Sequence, residues 1–244
     1  MSLLQVESLS AGHGLLQAVR DVSLSLDEGE TLALVGANGA GKTTLLRTIA
    51  GAHRPTSGRI VLDGRDITRV PAHKRVGLGI ALVPEGRRLF ADLTVEENLS
   101  VAAAKRRSGP WNVASVIEAF PILEPLRRKR AATLSGGEQQ ATAIGRALMT
   151  NPRVLLLDEV SLGLAPVAVD GVYRSLQALL DAGATVVLVE QDLSRALKVA
   201  DRVACLLEGR IVLEGTPSAL SREQVTEAYF GLRQQPAAAG EGRA

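Results

Sequence analysis

A single cysteine, Cys205, stands in the 244-residue chain, so no internal disulfide can form and no cysteine-based metal cluster can be built. A reducing compartment is the natural setting. No apolar run approaches the ~20 residues needed to cross a bilayer, and the start Met1-Ser2-Leu3-Leu4-Gln5 lacks a basic stretch followed by an apolar one. The expectation is a cytoplasmic chain that serves any membrane from the aqueous side. Charge of one sign is missing too. With 28 Lys and Arg against 26 Asp and Glu, the formal net charge of +2 is too weak a bias to argue for nucleic acid. No internal repeat is visible. What is present is 46% hydrophobic residues beside 22% charged ones, enough apolar material for a sizeable core. The length suits one α/β domain carrying an inserted subdomain.

Strand-like and helix-like runs alternate, as a mainly parallel sheet with covering helices requires. Residues 3–9 and 19–26 read as strands of a small antiparallel layer, and Thr31-Leu32-Ala33-Leu34-Val35 as a buried strand. A helix is expected over 42–50, strands over 58–62 and 80–83, and a helix from Thr94 with Glu96 and Glu97 in its first turn. From about 86 to 149 the pattern turns helical, broken by Pro110, Pro121 and Pro125; this is expected to be the inserted subdomain. The core pattern resumes with strands at 154–157, 185–189 and 203–207, helices after Pro166 and over 193–199, and a terminal hairpin turning at Glu208-Gly209-Arg210. The domain is expected to span 1–233, with 234–244 a frayed tail rich in Gln, Pro, Ala and Gly.

Three motifs carry the chemistry. Gly36-Ala37-Asn38-Gly39-Ala40-Gly41-Lys42-Thr43-Thr44 fits G-x-x-x-x-G-K-[ST] between a buried strand and a helix. Its glycines let successive N–H groups curl around phosphate oxygens at a helix N-terminus. Lys42 would bridge the β- and γ-phosphates, and Thr43 would place its hydroxyl on Mg²⁺. Val154-Leu155-Leu156-Leu157-Asp158-Glu159 is an apolar strand ending in two carboxylates. Asp158 would hold Mg²⁺ through water, and Glu159 would orient or deprotonate the attacking water. Leu134-Ser135-Gly136-Gly137-Glu138-Gln139-Gln140 opens a helix whose hydroxyl and free N–H groups make a second anion site. One chain cannot aim both sites at one ATP.

Found in this order, the motifs resemble the ATP-binding cassette of an ABC transporter, a P-loop NTPase (RecA-like) core with an antiparallel β layer and a helical insertion. The resemblance covers residues 3–232. It implies an ATPase that uses ATP and Mg²⁺, in which the signature of one subunit caps the nucleotide on the P-loop of another. Ser161-Leu162-Gly163-Leu164 matches the loop by which such subunits touch.

Departures from the family pattern narrow it. The adenine-stacking aromatic is replaced by His13, beside Gly14, which either offers its imidazole face to the base or is a plain surface histidine. Glu85 stands where a glutamine linking γ-phosphate and Mg²⁺ is usual, and Gln191 where a histidine senses the γ-phosphate. Val83-Pro84-Glu85-Gly86-Arg87-Arg88-Leu89-Phe90, Thr94-Val95-Glu96-Glu97-Asn98-Leu99 and Val189-Glu190-Gln191 closely resemble the LivF-type ATPases of bacterial branched-chain amino-acid uptake systems. A sister group serving urea or short amides is similar but tends to carry glutamine where Glu85 stands. The likeness implies a heterodimer with a second ATPase, two membrane permeases and an external solute-binding protein.

Other features read as structural. Lys105-Arg106-Arg107 and Arg127-Arg128-Lys129-Arg130 are expected on solvated faces rather than against permease loops or lipid. Trp111 is expected to anchor local packing, and Cys205 to be a small core residue. Rival classes are weakened by absences. Fewer than ~100 residues separate P-loop and signature without sustained heptads, unlike the chromosome-acting relatives. There is one cassette, unlike the ribosome-acting ones.

Overall fold

The computed structural model describes residues 2–103 and 107–231. The basic pair Lys105-Arg106 and the tail from 234 onward lie outside the described residues. Among the described residues ten strands form two sheets. One is antiparallel, in the order β2 (Leu16–Leu26), β1 (Leu4–His13), β4 (Ser57–Leu62), β5 (Arg65–Asp66). The second runs β10 (Arg210–Gly215), β9 (Arg202–Leu207), β3 (Thr31–Val35), β8 (Val186–Val189), β7 (Val154–Asp158), β6 (Ile80–Val83). It is parallel apart from the β9–β10 hairpin.

The parallel strands are apolar throughout because both faces are covered, and the two-residue period sorts each side chain to a face. Leu32 and Leu34 of β3, Val154 and Leu156 of β7, Val187 and Val189 of β8, and Ala204 and Leu206 of β9 pack toward the antiparallel layer and α1 (Lys42–Ile49). Their alternates split. Leu155, Leu157, Val186 and Leu188 join a core under the helical segment, whereas Ala33, Val35, Val203 and Cys205 meet α7 (Leu193–Val199) and α8 (Arg222–Phe230).

Between Gly86 and Met149 the chain holds α3 (Val95–Ala103), α4 (Val113–Ala119) and α5 (Gly136–Leu148), with 3-10 turns at Pro121–Leu126 and Ala131–Thr133. Their apolar faces meet in one cluster with Phe120, Leu123, Ile144 and the half-buried Trp111. Leu176 and Leu179 of α6 (Pro166–Asp181) complete it.

Three features differ from the sequence expectation. β1 runs on to His13, past the expected end at residue 9. Its register shifts between Val6 and Gly12 and the positive φ of Ser8 break the alternation that would have marked it as one strand. α2 (Ala72–Leu78) was not expected, since it has little apolar periodicity. It is held by Arg75, 1% exposed, whose guanidinium donates to the carbonyls of Val70, Thr68, Thr48 and Ile49. Two of those carbonyls end α1, so a buried cation satisfies the last turn of the P-loop helix. Burial pushes the Arg75 pKa down to about 10, where it stays charged at neutral pH. α8 was missed because only Val225 of its nine residues is buried; a Ser221–Gln224 capping box starts it.

Candidate nucleotide-binding site

Residues 36–44 join β3 to α1. Gly36 and Gly41 have φ of +150° and +104°, and a Cβ on either would press into the carbonyl oxygens of Leu206 and Ala18 respectively. Only glycine fits where the loop is clamped between β9 and β2. Gly41 caps α1 without a side-chain hydrogen bond, and no acidic residue occupies its first turn. The first N–H groups of α1 therefore face an unscreened, partly positive site.

Lys42, 3% exposed, folds back along this loop. Its Nζ donates to the carbonyls of Gly36 (2.7 Å) and Ala37 (3.0 Å) and lies 3.9 Å from Glu159 Oε1. Burial lowers its pKa, with Glu159 and Asp158 pulling the other way. Thr43 Oγ1 donates to Asp158 Oδ1 at 2.9 Å, whereas Asp158 Oδ2 is buried without a hydrogen-bond partner. Burial raises the Asp158 pKa, opposed by the Thr43 hydrogen bond, and Glu159 and Glu85 add to the rise. Glu159 sits at φ +50°, and its Oε2 accepts from Gln191 Nε2 at 2.7 Å. β7 and β8 are hydrogen-bonded neighbours in register Asp158↔Val189, which is why residues 32 apart in sequence meet.

Lys42, Thr43, Glu159 and Gln191, with Asp158 buried behind Thr43, belong to a cavity of about 460 Å³ walled by His13, Leu16 and Ala18 on one side, Asn38 to Thr44 on another, and Glu85, Glu159, Leu162 and Gln191 on the third. A larger cavity, about 680 Å³, lies around Trp111 and Thr185 and contains no P-loop residue. His13 is exposed at the β1–β2 tip, 3.4 Å from Thr44 Oγ1 through Nε2 and tilted against His53 with ring centroids 4.6 Å apart. The neighbouring Leu16, 68% exposed, shares this wall and was not singled out from the sequence.

None of the described residues between 86 and 158 lines that cavity. The signature segment lies elsewhere, at the start of α5. Ser135 Oγ accepts from the Glu138 N–H, and a Glu138 carboxylate oxygen takes the Ser135 N–H at 2.6 Å, a reciprocal cap. Gln139 is occupied within the chain, donating to the carbonyls of Ala131 and Leu134 and accepting from Arg87. Gly136 and Gly137 are pressed by Leu164 and Ala168, so the 161–164 loop rests on the signature of its own chain.

The comparisons with known proteins fit this geometry. The ABC transporter family model matches residues 19–161. BraG, a high-affinity branched-chain amino acid transport ATP-binding protein of Pseudomonas aeruginosa, is 45% identical over 94% of this chain and all of its own length. The chain belongs to the ABC transporter family. Archaeoglobus fulgidus LivF, a probable branched-chain amino acid transport ATP-binding protein, is 37% identical over 92% of this chain and 97% of its own. LptB of Haemophilus influenzae, the ATP-binding protein of a lipopolysaccharide export system, is 35% identical over 95% and 98%. Among solved structures, the ADP conformation of the cassette MJ1267 is similar with a TM-score of 0.77 and 30% identity, covering 95% of this chain and 99% of that one. The fold is therefore that of the ABC ATPases, which bind and hydrolyse ATP. Among the described residues no helix is long and apolar enough to cross a membrane.

Proposed function

We propose that this chain is the ATP-hydrolysing subunit of a bacterial importer of leucine, isoleucine and valine. It would act on the cytoplasmic face of the cell membrane as half of an ATP-sandwich dimer with a second, different ATPase. Two permeases and, indirectly, a solute-binding protein complete the assembly, and nucleic acid has no part in it. The observation that carries the ATPase reading is the convergence of Lys42, Thr43, Asp158, Glu159 and Gln191 on one loop and two adjacent strand ends. The likeness to BraG over the full length of both chains supports the substrate.

Binding ATP replaces the internal contacts of Lys42, whose ammonium moves from loop carbonyls to β- and γ-phosphate oxygens while the N–H groups of residues 39–44 take the rest. Thr43 and Asp158, with the orphaned Oδ2 of the latter, fit an oxygen-loving cation, and Glu85 stands within reach. Mg²⁺ there would neutralise phosphate charge. Glu159 would take a proton from the water that attacks the γ-phosphorus as the bond to the β-phosphate oxygen breaks. The Gln191 amide has two N–H donors, one on Glu159 Oε2 and one left for the γ-phosphate.

Uptake of labelled Leu, Ile and Val in a strain lacking this gene tests the reading: all three should fall and return with the gene. Loss of urea uptake instead would point to the short-amide group, and no change in either would overturn the importer assignment.

A further inference from the structure

Glu190, the last residue before Gln191, is 1% exposed at the end of β8. Its Oε2 accepts two hydrogen bonds, from Ser161 Oγ (2.9 Å) and from the Gln191 N–H (3.2 Å). Its Oε1 is buried with no partner, as is the hydroxyl of Tyr173 on α6. Burial raises the Tyr173 pKa far above the usual phenol range, and the Glu190 charge and side-chain hydrogen bonding to Glu190 add to the rise, so the phenol and the carboxylate lie beside each other without a well-formed bond. An incompletely paired carboxylate in the interior costs stability. Here it also closes a ring. Ser161 lies two residues after Glu159, and Gln191 donates back to Glu159. The ring thus runs Glu159, Ser161, Glu190, Gln191, Glu159, and it includes a carboxylate residue, Glu159, held in the left-handed region at φ +50°.

The ring has an input. Leu164 of the same short loop packs on Gly136 at the start of the signature helix, and its N–H bonds the Ser161 carbonyl at 3.3 Å. A contiguous run of contacts therefore joins the signature, through Leu164 and Ser161, to Glu190 and the Gln191–Glu159 pair.

We infer that Glu190 is a positioning residue for ATP hydrolysis, its carboxylate fixing Gln191 and Glu159 according to the placement of the loop that rests on this chain's own signature. The inference rests on the ATPase reading above. Glu190 is buried and does not line the cavity at the P-loop, so it acts on turnover and not on ATP affinity.

The test uses the full-length chain in its assembled transporter, with kcat, KM for ATP and the ATP Kd of each variant. Glu190→Ala should lower kcat about 10²-fold and Ser161→Ala about 10-fold, with KM and Kd changed less than about twofold. The double variant should be no worse than Glu190→Ala, because both cut one ring. Glu190→Gln should recover to within about threefold of the parent, since its amide oxygen accepts both bonds and its new N–H₂ group can donate to the neighbouring Tyr173 oxygen. Ser161→Ala removes one hydroxyl from a half-exposed loop, so it keeps the test open should Glu190→Ala fold poorly. Unchanged kcat in Ser161→Ala, an equal loss of affinity, or additive single effects would each overturn the proposal. If the parent is active and Glu190→Ala matches it, only this proposal falls. If the parent turns over no ATP, the ATPase reading falls and takes the proposal with it.

Discussion

The two anion sites of this chain are closed in the same way and completed in opposite ways. Without an anion, each satisfies itself: Lys42 bonds the carbonyls of its own loop, and Ser135 and Glu138 cap each other. The P-loop, however, receives Asp158 and Glu159 from one neighbouring strand end and Gln191 from the next, so its catalytic set lies within one chain. The signature receives nothing comparable. Its polar side chains Glu138 and Gln139 are used inside the chain, which leaves the exposed Ser135 hydroxyl at the helix N-terminus. On the proposed reading, one region gathers its catalytic set within the chain and the other contributes to the site of a partner subunit.

The sharpest way to break this comparison is at the P-loop. Lys42→Ala should weaken ATP binding by at least about 10²-fold, because a buried charge-assisted contact to phosphate is lost. Glu159→Gln should leave binding intact and cut turnover by about 10²–10⁴-fold. Equilibrium ATP binding beside steady-state phosphate release separates the two. Near-normal turnover in Glu159→Gln would remove that residue from the base role.

At the signature, Ser135→Arg should lower hydrolysis at the partner's P-loop by about 10²-fold while this chain's own P-loop keeps its ATP affinity. Position-specific nucleotide crosslinking checks it. A crosslink from ATP on Lys42 to residues around Ser135 of the same chain would contradict the division of labour.

A stability measurement sharpens the contrast further. Burial raises the Asp158 pKa, so the folded state holds a proton more readily than the unfolded chain. The sign follows: the component contributed by Asp158 is most favourable below its unfolded value of about 3.8 and declines as pH rises through the elevated folded value. At neutral pH the nucleotide-free protein bears that penalty. Asp158→Asn keeps an acceptor for Thr43 and should raise Tm by a few degrees (~2–6 °C) in the absence of nucleotide and metal. It should also abolish the gain in stability that Mg²⁺ and ATP give together. Calorimetry with and without the pair reads both effects.

Much of this was legible from the chain alone, and the parts that were not share a cause. The P-loop and Asp158-Glu159 are local: the chemistry needs neighbouring residues on one turn or one strand end, so spacing exposes them. Gln191 was reachable only through likeness to a family, since its role depends on β8 pairing with β7. Glu190 and Arg75 were missed because their meaning is tertiary. A glutamate at a strand end and an arginine in a short polar helix look solvated until burial and partners are known. β1 was cut short for a related reason, its bulges scrambling the two-residue period just before the segment that carries His13 to the cavity. Local signals thus revealed the half of the site built by sequence neighbours, and topology supplied the half built by sheet neighbours.

The smallest expected effect concerns Glu85, the charged residue where the family usually has an amide. It is exposed at the cavity edge, close enough to help raise the Asp158 pKa, and among the described residues it has no hydrogen bond or ion pair that would neutralise it. Its charge therefore faces the developing charge on the γ-phosphate. One such repulsion across about 4 Å of water is worth ~1 kcal/mol, a factor of about five in rate. Gln191 adds to the deficit, because an amide donates a hydrogen bond but cannot become a cation as histidine can. The P-loop of this chain should accordingly be the slower of two unequal sites while remaining competent through Glu159. Glu85→Gln should speed single-turnover hydrolysis there by about two- to fivefold, and the gain should shrink as Mg²⁺ is raised, since the cation screens the same charge. Equal residual rates in assembled complexes disabled first at Glu159 and then at the partner's equivalent would sink the asymmetry, and an acceleration by Glu85→Gln at both sites would show that the glutamate acts on the dimer rather than on its own nucleotide.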